Sequence, residues 1–107
     1  MKKPDMDLSN TGKRGSDTWE LSLYVFDEAP ASIRALANVE SICEECLKGR
    51  YALDVIDLAI HPEFAKRDQV VALPTLMKKF PLPARKVIGD LSNTERVLRG
   101  LGLRPTE

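Results

Sequence analysis

The apolar pattern near the start of the chain predicts a strand from Trp19 to Phe26. Apolar and polar residues alternate at first, and the segment is then apolar at every position. That pattern is typical of a strand in the middle of a sheet, covered on both faces. A helix is predicted over residues 31–48, where an apolar stripe recurs at helical spacing through Leu36, Val39, Cys43 and Cys46. Pro30 suits its first position, and Gly49 suits the left-handed residue that ends it.

The following segments predict further strands and leave one region open. Residues 51–58 predict a second strand, parallel to the first because the crossover through the helix is right-handed. Residues 62–68 are compatible with a short helix, and the apolar run 70–73 either extends that helix or forms a strand. Residues 76–80 and 84–88 predict two more strands, since the prolines between them cannot donate to a ladder.

A capping box predicts the last helix, with Ser92 as the N-cap and Glu95 returning to its backbone N–H. We expect this helix to run to Arg99 and to stop at Gly100. The element order β-α-β-α-β-β-α is that of a thioredoxin-like α/β domain. A chain of 107 residues suits one domain, which we expect over residues 19–104.

The polar residues 1–18 show no periodicity and are expected to form a flexible N-terminal tail.

Three segments, in this order, closely resemble the KaiB family: Tyr51–Asp57 (YALDVID), Leu73–Leu76 (LPTL) and Pro83–Ser92 (PARKVIGDLS). The resemblance runs from about Leu21 to Leu103. KaiB-like proteins are circadian-clock components that bind the ATPase KaiC. The resemblance therefore implies a clock or stress-pathway regulator that modulates the phosphorylation state or partner exchange of a KaiC-like ATPase. It implies no catalytic activity, and it implies a homo-oligomer, either a dimer or a tetramer.

The resemblance also implies where partners bind. Arg34, Lys78 and Arg85 match basic positions that the family uses around its contacts with clock partners. Ala52 matches a small residue of the second strand in the region that faces KaiC.

Two further partner positions depart from the family pattern. Asp54 and Gln69 stand where cyanobacterial relatives commonly have lysine. A reversed charge at a contact lowers affinity unless the partner compensates. We therefore expect this chain to serve a different KaiC homologue.

KaiB-like proteins also switch between two folds, the second being a tetrameric β-α-β-β-α-α-β arrangement. The residues expected in the fold-switch region are Pro74, Pro81, Pro83, Gly100 and Gly102. In the second arrangement the segment from Gly100 onward must form a strand, for which Gly102 and Pro105 are poor residues. We therefore expect the thioredoxin-like arrangement to be favoured. Leu73-Pro74-Thr75 also resembles the cis-proline site of thioredoxin-like folds, and a trans proline that starts a strand fits the sequence as well.

The motif Cys43-Glu44-Glu45-Cys46 raises a second function, that of a thiol-disulfide oxidoreductase. In thioredoxin-like enzymes such a motif occupies the turn after the first strand, where a helix N-terminus lowers the thiol pKa. Here the pair lies near the C-terminal end of a helix, where the dipole and the flanking acids oppose a thiolate. We expect both thiols to be buried core residues.

Composition and charge exclude several other classes. The chain has 16 basic and 16 acidic side chains, and this balance argues against nucleic-acid binding. Seven basic and two acidic residues lie between Lys78 and Arg104, and this basic half suits an acidic protein partner. No apolar run is long enough to span a membrane and no leader is evident, so we expect a cytoplasmic protein.

The remaining candidates for chemistry are few. His61 is the single histidine and has no neighbours at metal-ligand spacing, and the chain has no phosphate-binding loop. We expect no metal and no cofactor. A third hypothesis is a partner, in trans, of a clock histidine kinase that carries a KaiB-like domain.

Overall fold

A single sheet carries the fold. The computed structural model describes residues 18–103, and its strands are β1 (Trp19–Val25), β2 (Tyr51–Asp57), β3 (Thr75–Phe80) and β4 (Arg85–Ile88). They lie side by side in the order β2-β1-β3-β4. β2 runs parallel to β1, while β3 is antiparallel to both β1 and β4. β1 is one of the two inner strands, with β3, as its continuous apolar run predicts.

Three helices complete the described residues: α1 (Pro30–Cys46), α2 (Glu63–Arg67) and α3 (Thr94–Leu101). The β-α-β-α-β-β-α order of a thioredoxin-like domain is therefore confirmed. Pro30 opens α1 as expected, and Ala29 before it provides no side-chain cap. Gly49 does not end α1, since its C-cap is Leu47. Gly49 adopts a left-handed φ of 75° in the turn that leads to β2.

The main core lies between the sheet and the two longer helices. Here one face of the sheet packs against α1 and α3. The buried side chains include Leu21, Leu23, Val25, Ala35, Val39, Ile42, Leu76, Val87, Val97 and Leu98. The buried stripe of α1 is rotated from the predicted one, because Ala35 and Ile42 are buried while Leu36 and Cys46 are only half-buried. Phe26 was expected inside the first strand but lies beyond its end, 51% exposed.

The opposite face of the sheet has a smaller cluster. Tyr24, Leu58 and Met77 are buried there, and Phe64 of the short helix α2 packs against them. Because α2 has only five residues, it covers one end of this face.

The predicted capping box of α3 is wrong by one residue. The N-cap is Asn93, whose side chain accepts a hydrogen bond from the backbone N–H of Arg96 at 3.1 Å. Ser92 belongs to the preceding loop, where its N–H donates to Asp90. The predicted end at Gly100 is also wrong, because α3 continues to Leu101 and ends in Gly102 at φ 83°.

The segment that the sequence left open forms neither a strand nor an extension of α2. Residues 70–73 are irregular and lead into β3. The Leu73–Pro74 bond is cis, as are the bonds before Pro81 and Pro83.

Two of the predictions concern residues outside the described range of 18–103. The expected tail over residues 1–18 lies outside the described residues except for Thr18, and so does Pro105. Within residues 18–103, no helix combines the length and the apolar character needed to cross a membrane.

Candidate partner surface

Two of the expected partner residues lie on an edge strand. Ala52 and Asp54 occupy exposed positions of β2, two residues apart and therefore on the same face of the strand. Their register partners on β1 are Glu20 and Ser22. Within residues 18–103, the outer side of β2 pairs with no other strand. Both the backbone edge and the Asp54 carboxylate are thus accessible to another protein.

Gln69 lies in the loop that follows α2. Its backbone is left-handed, with φ 58°, and its carbonyl accepts a hydrogen bond from the Lys86 ammonium at 2.7 Å. This bond ties the loop to β4 and leaves the Gln69 side chain on the surface.

Lys78 and Arg85 come together at the C-terminal end of α3. They are register partners on β3 and β4. A Cβ built on Gly102 would lie 3.7 Å from the Lys78 Nζ and 3.8 Å from the Arg85 Nε. Because carbonyl groups concentrate negative potential at a helix C-terminus, this is a favourable place for two cations.

These two cations differ sharply in exposure. Lys78 is only 4% exposed, and its ammonium lies 4.9 Å from the centre of the Trp19 ring. Burial, followed by the neighbouring Arg85 charge, lowers the pKa of Lys78. Arg85 is exposed. Arg85 therefore offers the accessible charge of this pair, while Lys78 is buried.

Arg34 lies on the exposed side of α1 and is already engaged. Its Nε is 3.2 Å from a carboxylate oxygen of Asp90, and Asn38 donates to the Asp90 carbonyl at 2.8 Å. The hydrogen bonds from Ser92 and Arg34 lower the pKa of Asp90. Arg34 thus holds the loop before α3 against α1, and 58% of its side chain remains exposed.

The six expected residues therefore form separate groups. Ala52 and Asp54 lie on the edge strand β2. At the opposite side of the sheet, Arg85 lies on the edge strand β4 and Lys78 on its neighbour β3. The accessible charge is the Asp54 carboxylate at the first edge and the Arg85 guanidinium at the second.

Sequence reasoning missed an apolar groove at one end of the sheet. Phe26, Val71 and Leu73 line a cavity of about 400 Å³ there and are 51%, 89% and 38% exposed. The signal was present as the apolar run 70–73, but that run was assigned to a helix or a strand. Exposed apolar residues that share a groove are typical of an interaction site.

The thiols lie away from this end and differ in burial. Cys43 is 1% exposed, and burial, with smaller contributions from Cys46 and Glu44, raises its pKa to about 12. Cys46 is half-buried, so the expectation of two buried thiols holds fully only for Cys43. Among residues 18–103, no three potential metal ligands are grouped closely enough to hold a metal ion.

Comparison with known proteins identifies the family. A family model described as "KaiB domain" matches residues 22–103. The "Circadian clock oscillator protein KaiB" of Thermosynechococcus vestitus is 50% identical over 86 residues, 80% of this chain and 80% of that protein. The protein of the same name from Nostoc punctiforme is 48% identical over 90 residues, 84% of this chain and 86% of its own length.

Solved structures support the fold. The N-terminal domain of Synechococcus elongatus SasA has a TM-score of 0.67 at 21% identity, covering 100% of this chain and 98% of that chain. Mitochondrial thioredoxin 3 of Saccharomyces cerevisiae has a TM-score of 0.64 at 14% identity, covering 85% and 83%. These likenesses establish the thioredoxin-like fold. Since the family model and these relatives extend over most of its length, the chain belongs to the KaiB family.

Proposed function

We propose that this protein is a clock or stress-pathway regulator that binds a KaiC-type ATPase and modulates its phosphorylation state or partner exchange. Membership of the KaiB family, over residues 22–103, is the observation that carries the proposal. The relatives bear the name of a circadian clock oscillator protein. In this proposal the protein acts in the cytoplasm by occupying a surface, and no bond is made or broken.

Two exposed charged regions support a role in protein binding. Arg85 presents an accessible guanidinium above the buried Lys78, and Asp54 presents a carboxylate on the open edge of β2. Charges of opposite sign at separate edges orient a partner as it approaches, because only one orientation satisfies both. We infer that the partner places acidic groups near Arg85 and basic groups near Asp54.

The thioredoxin-like arrangement is the proposed binding-competent form. If the chain also populates the β-α-β-β-α-α-β arrangement, its apparent affinity falls with the fraction that is competent. Homo-oligomerisation as a dimer or tetramer belongs to the same proposal, because subunits that associate in the second arrangement would compete with binding.

Two other functions are less well supported. An oxidoreductase needs an accessible thiolate, whereas Cys43 is buried and its pKa is raised to about 12. A partner role toward a sensor histidine kinase remains compatible with a surface-binding protein, and the same binding assay distinguishes it when the kinase replaces the ATPase.

The test is binding to purified KaiC homologues encoded in the same genome, measured by biolayer interferometry with ATP and with ADP. We expect a saturable complex with at least one homologue, and we expect Arg85→Glu to weaken it about tenfold or more. Lys48→Glu is the matched control, because Lys48 is also exposed but lies in the turn after α1. Absence of a complex with every homologue under both nucleotide conditions would contradict the proposal.

A further inference from the structure

Two cations border the same open space beside the C-terminal end of α3. A Cβ placed on Gly102 would lie 3.7 Å from the Lys78 Nζ and 3.8 Å from the Arg85 Nε. Because Gly102 has no side chain and is exposed, this space is open to solvent. Lys78 borders it although only 4% of that residue is exposed. A small ligand in this space would therefore reach both an exposed and a buried cation.

Neither cation has an acidic partner among residues 18–103. The ion pairs of this range involve other side chains, and Glu95, the acidic residue of α3, pairs with Arg99. Burial, and then the Arg85 charge, lower the pKa of Lys78. A buried ammonium without a counter-ion is rare in proteins, because removing a charge from water is costly.

The contacts that the two cations do make leave their charge uncompensated. The Lys78 ammonium lies 4.9 Å from the centre of the Trp19 ring, which attracts a cation but carries no net charge. The carbonyls in the last turn of α3 already accept hydrogen bonds from the N–H groups of Gly102 and Leu103. The helix end supplies the equivalent of about half a negative charge, against two full positive charges. A net positive charge therefore remains at this space.

The charge and the limited access favour a small oxyanion. Only a small or protruding group reaches a nitrogen as buried as that of Lys78, whereas a flat surface would meet Arg85 alone. Hydrogen bonds from such nitrogens to an oxyanion are about 2.8 Å long, so an anion with several oxygens can accept from both. A phosphate group carries about 1.5 to 2 negative charges near neutral pH, which matches two cations better than the single charge of a carboxylate.

We propose that Lys78 and Arg85 form a binding site for the phosphate group of a small molecule, either inorganic phosphate or a phosphomonoester, in the space above Gly102. The Lys78 ammonium and the Arg85 guanidinium donate hydrogen bonds to its oxygens, and the bound anion supplies the counter-charge for the buried ammonium. The site belongs to the protein alone and needs no KaiC-type ATPase, so its test can fail while the ATPase-binding test succeeds, and the reverse.

Inorganic phosphate is the first probe, titrated into the ¹⁵N-labelled full chain near neutral pH and followed by NMR, with sodium chloride added to keep the ionic strength constant. We expect saturable shifts centred on Trp19 and Gly102, with a dissociation constant on the order of 1 mM for two charge-assisted hydrogen bonds. Acetate, a single charge, should bind about fivefold more weakly or less tightly still. No saturation, shifts centred elsewhere, or equal affinity for acetate would overturn the proposal.

Adenosine monophosphate is the second probe and distinguishes the two sources of the phosphate group. Tighter binding than inorganic phosphate, with shifts at the same residues, identifies a phosphomonoester as the ligand. Weaker binding at the same residues identifies inorganic phosphate.

Variants that remove one charge test the assignment. Arg85→Gln should weaken phosphate binding about fivefold or more, because a charge-assisted hydrogen bond is lost. Arg96→Gln is the matched control. Arg96 is also exposed, has no ion pair within residues 18–103 and lies in the first turn of α3, so its loss should change the affinity by less than about twofold. Equal effects of Arg85→Gln and Arg96→Gln would refute the site.

Lys78→Met tests the buried cation, since methionine keeps an unbranched side chain without the charge. Thermal unfolding shows whether the variant folds, and the folded variant should bind phosphate about tenfold more weakly or worse. Wild-type affinity in folded Lys78→Met would contradict the proposal. If Lys78→Met does not fold, the comparison of Arg85→Gln with Arg96→Gln decides.

Discussion

The hydroxyl of Tyr24 donates a hydrogen bond to the carboxylate of Asp68, joining a fully buried residue near the C-terminal end of β1 to the C-cap residue of α2. Asp68 also lies 3.0 Å from Arg67 and 3.6 Å from Lys79. Arg67 in turn stacks on the Phe64 ring at 4.0 Å. The short helix α2 has too few residues to be stable alone, so this network holds it on the sheet, beside the apolar groove.

The Asp68 network predicts a loss of stability in acid. Hydrogen bonds from Arg67, and then from Tyr24, lower the pKa of Asp68 to about 2 against the opposing effect of burial. Because the folded pKa lies below the unfolded value, the stabilisation is present above about pH 4 and is lost as the pH falls toward 2. We expect about 1–2 kcal/mol of the unfolding free energy to disappear over that range. Urea unfolding from pH 2 to 6 measures it.

Asp68→Asn is the control for this pH dependence. Its carboxamide has no proton to gain in this range, so its unfolding free energy should fall less steeply than that of the wild type. Parallel curves for the two proteins would show that Asp68 is not linked to folding.

The two cysteines are expected to differ in reactivity. Burial raises the pKa of Cys43 to about 12, so almost none of it is thiolate at pH 8, whereas Cys46 is half-buried. In single-cysteine proteins made by Cys46→Ser and Cys43→Ala, iodoacetamide should label Cys43 at least tenfold more slowly than Cys46. Mass spectrometry follows both rates. Rapid labelling of Cys43, together with insulin reduction that Cys43→Ser abolishes, would instead favour the oxidoreductase.

Substitutions at two neighbouring residues, Ser92 and Asn93, test which of them caps α3. Asn93 accepts the Arg96 N–H, so Asn93→Ala should lower the unfolding free energy by about 1 kcal/mol. Ser92→Ala is the matched control and should cost less than about half of that, because the Ser92 side chain is exposed and not the cap. Chemical denaturation of both variants decides between the two positions. A larger loss of unfolding free energy for Ser92→Ala than for Asn93→Ala would show that Ser92 is the N-cap, as the sequence predicts.

The residues around α3 explain why both of its predicted ends are wrong. Ser92 has the right spacing for a capping box, but Asp90 already accepts its N–H, and Leu91 adopts a left-handed φ of 65°. Gly100 looks like a helix end, yet it is where α3 touches the sheet, since a Cβ there would lie 2.6 Å from Val87 Cγ2. Local spacing predicted that a helix exists, and tertiary contacts set its limits.

The partner surface was less predictable than the fold. Strand periodicity and the family resemblance placed Ala52 and Asp54 correctly on β2. They did not reveal that Lys78 is buried. It pairs with the buried Leu21 in an inner strand whose first four residues are buried on both faces, and the family resemblance marks only that the position is basic. The groove was missed for a different reason. The exposure of Val71 depends on where the chain after α2 turns, and periodicity does not specify such a turn.

Gly102 is expected to favour the helical form of the C-terminal segment. It adopts φ 83° at the C-cap of α3, a conformation that costs about 1 kcal/mol for residues with a Cβ. The nearest atom to a Cβ placed on Gly102 would be 3.7 Å away, so the cost comes from the backbone and not from a clash. Gly102→Ala should therefore lower the unfolding free energy by about 1 kcal/mol, and Gly102→Asn by less, because asparagine tolerates this region.

NMR secondary shifts show which arrangement each Gly102 variant populates. We expect residues 93–99 to be helical in the wild type and in Gly102→Asn. An extended profile for these residues in the wild type would mean that the β-α-β-β-α-α-β arrangement dominates in solution, which would overturn the expectation that the thioredoxin-like arrangement is favoured.

Asp54 is expected to set the choice of partner under the proposed function. It is exposed on the open edge of β2, where the family resemblance implies a lysine in cyanobacterial relatives. Replacing a carboxylate with an ammonium at a contact reverses its interaction with every nearby charge of the partner. We expect Asp54→Lys to weaken binding to a KaiC homologue from the same genome and to strengthen binding to a cyanobacterial KaiC. The ratio of the two dissociation constants should change by about tenfold, which corresponds to about 1.4 kcal/mol. Glu45→Lys makes the same change in net charge at an exposed position of α1 and should leave the ratio within about twofold. If both variants shift the ratio equally, net charge governs the preference and Asp54 has no specific part in it.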